Sequence, residues 1–198
     1  MRYAEAGIQG EGSSVREPAL SNSVLGVIVF IMAEMMFFLG LISAFMISKA
    51  NAVEWPPIDQ PRLPIGATAF NTAVLMASGL TMYLTGRVFQ REGFGDKSKL
   101  LFLVTLGLGT FFVLFQGVEW VRILSQGLTM QSSTYGAFFY LIIGAHAVHA
   151  IGSIVAQVRL FWKFRKGTLR LQSFRAGQTF WYFVVGVWPI LYVLVYLD

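Results

Sequence analysis

Four side chains set in otherwise apolar surroundings have the chemistry to do more than pack: Glu34, Glu119, His146 and His149. Ionisable groups inside long apolar runs are costly to place there, so they are the first candidates for function. Glu34 lies in Met32-Ala33-Glu34-Met35-Met36-Phe37-Phe38, and its helical neighbours Phe30, Ile31, Phe37 and Phe38 are all apolar. Desolvation disfavours a charged carboxylate in such a place, so the carboxyl is expected to be neutral. It suits a proton-relay or proton-sensing acid, and equally a protonated structural acid hydrogen-bonded to a neighbouring helix.

His146 and His149 stand three residues apart in Gly144-Ala145-His146-Ala147-Val148-His149, which directs both from one face of a helix at a depth similar to Glu34. The pair could join Glu34 and Glu119 as four metal ligands, form a polar cluster between helices, or contact bound lipid or a buried water. Polar contacts are preferred to a metal. Glu119 lies in Gln116-Gly117-Val118-Glu119-Trp120, near the outer end of its apolar run, where a carboxylate can reach water or headgroups. Gln116, one turn earlier, shares its face, and an interhelical hydrogen-bond pair is the preferred role. Trp181, Tyr182, Trp188, Tyr192 and Tyr196 crowd the last run and are expected as belt and packing aromatics, as is Trp55 in a loop. No glycine-rich phosphate loop, nucleophile elbow or catalytic acid–base pair accompanies them, so no catalytic residue is assigned.

The elements that must carry these residues follow from composition. Of 198 residues, 56% are hydrophobic and 13% charged, against about 25% charged in an average soluble domain. A membrane-spanning helix needs roughly 20 mostly apolar residues. Five runs qualify, with apolar cores at 24–47, 65–86, 100–121, 133–158 and 176–197 and spans reaching about 22–48, 64–88, 99–123, 133–160 and 174–197. The expected fold is therefore all-α: one membrane domain over 1–198, a bundle of five transmembrane helices behind a tail at 1–21 that lacks a signal peptide. The second run is the weakest, holding Thr68, Asn71, Thr72, Ser78, Gly79 and Thr81. Its Ala69, Ala73 and Ala77 form a small-residue stripe, which predicts a span packed inside the bundle.

Twelve of the 15 basic residues fall in the tail and in the loops after the second and fourth runs; only Lys49, Arg62 and Arg122 fall on the other side. The positive-inside rule then places the N-terminus in the cytoplasm and the C-terminus outside. Basic residues that border spans match anionic lipid headgroups, so the net charge of +5 does not indicate nucleic acid. Two histidines and no cysteine cannot build a haem pair with a copper site, an iron–sulfur cluster or a thiolate metal site.

With these residues in view, the chain resembles subunit III of haem–copper terminal oxidases of the cytochrome c oxidase type. Five segments carry the resemblance in order: Ala33-Glu34-Met35-Met36-Phe37-Phe38; Trp55-Pro56-Pro57; Asn71-Thr72-Ala73-Val74-Leu75-Met76-Ala77-Ser78-Gly79; Gln116-Gly117-Val118-Glu119-Trp120; and Gly144-Ala145-His146-Ala147-Val148-His149-Ala150-Ile151-Gly152. The longer form of that family has seven helices, and the present five resemble its bacterial five-helix form. Two positions depart from the family's Trp-His-Phe-Val-Asp-Val-Val-Trp in the last helix: Tyr182 stands for the histidine and Gly186 for the aspartate.

The resemblance implies a non-catalytic subunit of a bacterial inner-membrane oxidase. Such a subunit packs on subunit I near subunit II, binds phospholipid in a cleft and supports proton uptake and the stability of the oxygen-reducing complex. Haem and copper then belong to the partner subunits, with no cofactor in this chain. Glu34, Glu119, His146 and His149 carry over as buried proton-linked or polar positions, and Trp55, Trp181, Tyr182 and Trp188 are expected at lipid or interface contacts. Within the superfamily, the corresponding subunit of a quinol oxidase or of a nitric oxide reductase is the alternative. From other classes come a stand-alone proton or ion carrier and a di-metal membrane enzyme.

Overall fold

The computed structural model describes residues 22–57, 61–93 and 95–197, and among these the chain is all-α without a strand. The helices are α1 (Asn22–Ala50), α2 (Ile65–Glu92), α3 (Asp96–Ser125), α4 (Thr134–Arg165) and α5 (Leu171–Tyr192), the last running on into a π-helical turn over Val193–Leu197. Among the described residues these five helices are long and apolar enough to cross a membrane, α2 having the lowest mean hydropathy at 1.3. A bilayer offers no water to backbone N–H and C=O groups, so each crossing satisfies its own as a helix. The expected tail at 1–21 lies outside the described residues. At the basic end of the bundle the helices overrun their apolar cores, α2 to Arg91 and Glu92 and α4 to Lys163 and Arg165. Long basic side chains reach the headgroups from such turns while the backbone stays helical.

Short connections join α2 to α3, α3 to α4 and α4 to α5. Gly93 turns the chain out of α2 at φ 71°, a left-handed conformation that favours glycine. The backbone N–H of Gly95 then donates to Ser98 Oγ at 3.1 Å, closing the start of α3. α4 opens at Ser133, whose hydroxyl accepts from the Gly136 N–H at 3.0 Å. Gly136 itself is dictated by a close approach, because a Cβ there would run into the Thr129 carbonyl oxygen.

α2 and α3 make the most extensive pairing, and α5 packs on α1, α2 and α4. The centre of the bundle belongs to α5: 44% of its most apolar stretch is buried, against 33% for α2 and 6% for α1. α2, expected as a span packed inside the bundle, buries less than α5 and as much as α4. The stripe it buries differs from the one expected. Ala69, Ala73 and Ala77 are exposed, and Thr68, Asn71, Leu75, Ser78, Met82 and Thr85 face inward. Alanine methyls lose nothing in lipid, whereas hydroxyls and amides stranded there have no partner, so the polar stripe turns to the protein. Thr105 Oγ1 on α3 accordingly meets Thr81 Oγ1 on α2 at 2.9 Å. Further along α3, Gly109 lets the benzo edge of the Trp181 indole come close to the helix; a Cβ there would sit 2.6 Å from the ring.

Candidate functional site

The structure brings together two of the four candidate residues, Glu34 and His149. α1 carries Glu34 and α4 carries His149, and their Oε2 and Nε2 atoms are 2.9 Å apart. The other ring nitrogen, Nδ1, lies 2.7 Å from the Ala145 carbonyl oxygen one turn back on α4. A carbonyl only accepts, so Nδ1 must carry a proton. One proton then remains for the link to Glu34. Either the protonated carboxyl donates to a bare Nε2, or an imidazolium Nε2–H donates to a carboxylate. Both arrangements leave the pair with no net charge, which is what a low-dielectric setting favours.

The pair is partly shielded. Side-chain exposure is 15% for His149 and 20% for Glu34, and Phe38, Phe180 and Phe183 set their ring centroids 5.4, 6.5 and 6.3 Å from the imidazole. Phe38 and Phe183 also touch each other at 6.3 Å, tying α1 to α5 beside the polar link.

His146 takes a different direction. Three residues span about 300° of a helix, so the two rings diverge by about 60°, enough to send His149 to α1 and His146 into the core between α3 and α5. His146 is 1% exposed, with the Trp188 and Phe112 ring centroids at 4.9 and 6.3 Å. Its Nε2 is buried without a hydrogen-bond partner.

Glu119 is buried at 4% and does not reach the surface as expected. Nor does it bond across helices: Arg122 Nη1 on the same helix donates to its Oε1 at 3.3 Å, and Oε2 has no partner. Arg122 extends outward from the helix, 63% exposed, so it brings a charge to the carboxylate that the carboxylate itself does not carry to the surface. The interhelical bonds belong to Gln116, which accepts from Asn71 Nδ2 at 3.3 Å and donates to Tyr196 Oη at 3.0 Å. The four candidates therefore do not converge, and among the described residues no three acidic or histidine side chains group as metal ligands. The four-ligand arrangement is set aside.

Trp181 and Trp188, expected at lipid or interface contacts, are both 1% exposed and lie between helices of the chain itself. The Trp188 indole N–H donates to Thr72 Oγ1 on α2 at 2.9 Å, which removes the reason for it to seek the interface. Tyr182 faces outward at 37%, its hydroxyl accepting from Gln178 at 2.8 Å. Trp55 packs edge-on against Phe45 and Tyr135. A groove of about 410 Å³ between α1, α4 and α5 has Val27, Phe30 and Phe180 in its walls and Arg159 and Lys163 at the basic end.

The family model described as Cytochrome c oxidase subunit III matches residues 3–198. The chain belongs to the cytochrome c oxidase subunit III family. It is 33% identical over 183 residues to a probable cytochrome c oxidase subunit 3 of Nocardia farcinica, covering 87% of this chain and 86% of that one. It is 29% identical to the cytochrome c oxidase subunit 3 of Synechocystis sp., over 88% of this chain and 75% of the other. The subunit 3 of Damaliscus lunatus is 31% identical over 97% of this chain and 74% of its own length. As an oxidase subunit III, the chain is a multi-pass membrane protein that works in a complex with other subunits.

In this subunit III the Glu34 segment on α1 meets the His-x-x-His segment on α4, and the Gln116 segment on α3 joins the Asn71 segment on α2. Gly186, at the family's aspartate position, has open space where a Cβ would stand. Sequence reasoning missed Gln157, 1% exposed, whose Nε2 donates to the Gly177 carbonyl at 2.8 Å and pins α4 to α5. A lone amide inside an apolar run was the available signal. Tyr196, grouped with the belt aromatics, is instead the partner of Gln116.

Proposed function

We propose that this subunit III is a non-catalytic member of an aerobic haem–copper oxidase in a bacterial cell membrane. It packs on subunit I near subunit II, holds phospholipid and supports proton uptake by the complex. Its basic end, with the N-terminus, faces the cytoplasm. Haem and copper reside in the partner subunits.

The observation that carries the proton role is the Glu34–His149 link, a carboxyl and an imidazole sharing one proton at 2.9 Å within the span. Such a pair passes a proton between oxygen and nitrogen without changing its net charge, so the step avoids the cost of creating charge in a low-dielectric layer. Lipid binding draws support from the α1–α4–α5 groove, where Arg159 and Lys163 stand one turn apart above apolar walls. An anionic headgroup fits the two cations, and an acyl chain fits the walls below.

In the purified oxidase, a hydrophobic carbodiimide should label Glu34, and Glu34→Gln should slow proton uptake while leaving haem content unchanged. Labelling confined to loop acids such as Glu54, together with unchanged proton uptake in Glu34→Gln, would reduce Glu34 to a packing residue. Proton flux through the purified chain alone in liposomes would favour the stand-alone carrier.

A further inference from the structure

Between α3, α4 and α5 lies a cavity of about 200 Å³ that the proton link and the lipid groove leave unused. Phe112, Val113, Ile143, Ala147, Ile151 and Trp188 form its apolar wall. Gly117 widens it, since a Cβ at that position would meet nothing within 4 Å. The wall draws on the middle of α4, at the depth of His146, well away from either helix end. Beside it, Val118 on α3 and Val148 on α4 are 63% and 70% exposed on this chain, so the ground around its mouth is apolar.

Three side chains with polar atoms line this cavity, Gln116, Trp120 and His146, and together they offer water few contacts. The Gln116 amide is already engaged at both ends, by Asn71 and by Tyr196. His146 Nε2 and Trp120 Nε1 are the remaining groups, both buried and without a partner. A buried water typically makes about three polar contacts, and these two nitrogens, set in an otherwise apolar lining, supply fewer. Apolar cavities of about 150 Å³ stay dry and take up benzene or xenon. A molecule that arrives from the bilayer core has already shed its water, so entry carries no desolvation penalty.

We propose that this cavity is a binding site for a small, uncharged, apolar solute of the bilayer, up to about the size of one aromatic ring. The site is independent of the Glu34–His149 link, which lies on the opposite side of α4's inner face, toward α1.

Xenon applied under pressure to crystals of the intact oxidase complex tests this directly. A xenon peak is expected among Phe112, Val113, Ile143 and Trp188. Gly117→Leu and, separately, Ala147→Leu should each abolish that peak by filling the space, with haem content and assembly retained in at least one of them. The proposal is overturned if the unmodified complex shows no xenon there, if an ordered water sits on His146 Nε2, or if continuous density for a lipid chain occupies the cavity. A peak that survives at full occupancy in an assembled variant overturns it as well.

Discussion

Replacing Glu34 separates what the polar link does for packing from what it does for protons. α1 is the helix least held by the rest of the chain, with 6% of its most apolar stretch buried, so a single polar link to α4 carries weight in its docking. In Glu34→Leu the Nδ1–H bond of His149 to Ala145 persists, but Nε2 loses its partner at 2.9 Å. Stranding a buried polar group costs about 1–3 kcal/mol, while interhelical hydrogen bonds measured in a membrane average about 0.6 and reach about 1.7 kcal/mol. His149 is 15% exposed, which relieves part of the penalty, and about 1 kcal/mol is expected, a factor of about 5 in the ratio of docked to released α1. Glu34→Gln presents an amide N–H to Nε2 and keeps the link, so its stability should stay within about 0.5 kcal/mol of the parent. Equilibrium denaturation of the purified complex in mixed micelles, following release of this chain, measures both variants. Equal loss in the two, or no loss in Glu34→Leu, would refute the hydrogen-bond account of α1 docking.

Gly109→Ala should destabilise the chain by about 1–3 kcal/mol, because the new methyl meets the rigid Trp181 ring at 2.6 Å. Gly107→Ala, with nothing within 4 Å of its Cβ, is the matched control and should be neutral or slightly stabilising; the same denaturation assay compares them, and equal effects would remove the close-approach argument. For the α1–α4–α5 groove, the double variant Arg159→Gln and Lys163→Gln should lower the anionic phospholipid retained per purified complex, read by lipid mass spectrometry. Full retention would show that the groove's two cations do not hold a headgroup.

The number of crossings and the identity of the polar residues inside them were legible in the chain, because the bilayer imposes its rule on composition: a run of about 20 apolar residues must be a helix, whatever it packs against. The family resemblance rested on ordered segments, which also need no three-dimensional contact to be seen. The partners of each polar group could not be read the same way. Periodicity puts His146 and His149 near one face, but only the positions of α1, α3 and α5 around α4 decide that one ring bonds Glu34 and the other is enclosed by Phe112 and Trp188. In a soluble protein hydrophobicity would have told inside from outside. Here lipid is as apolar as the core, so Ala69, Ala73 and Ala77 gave no direction, and the polar groups of α2 decided which face turned in. Trp188 left the interface for the same reason: Thr72 satisfied its N–H within the bundle, a match that tertiary packing alone creates.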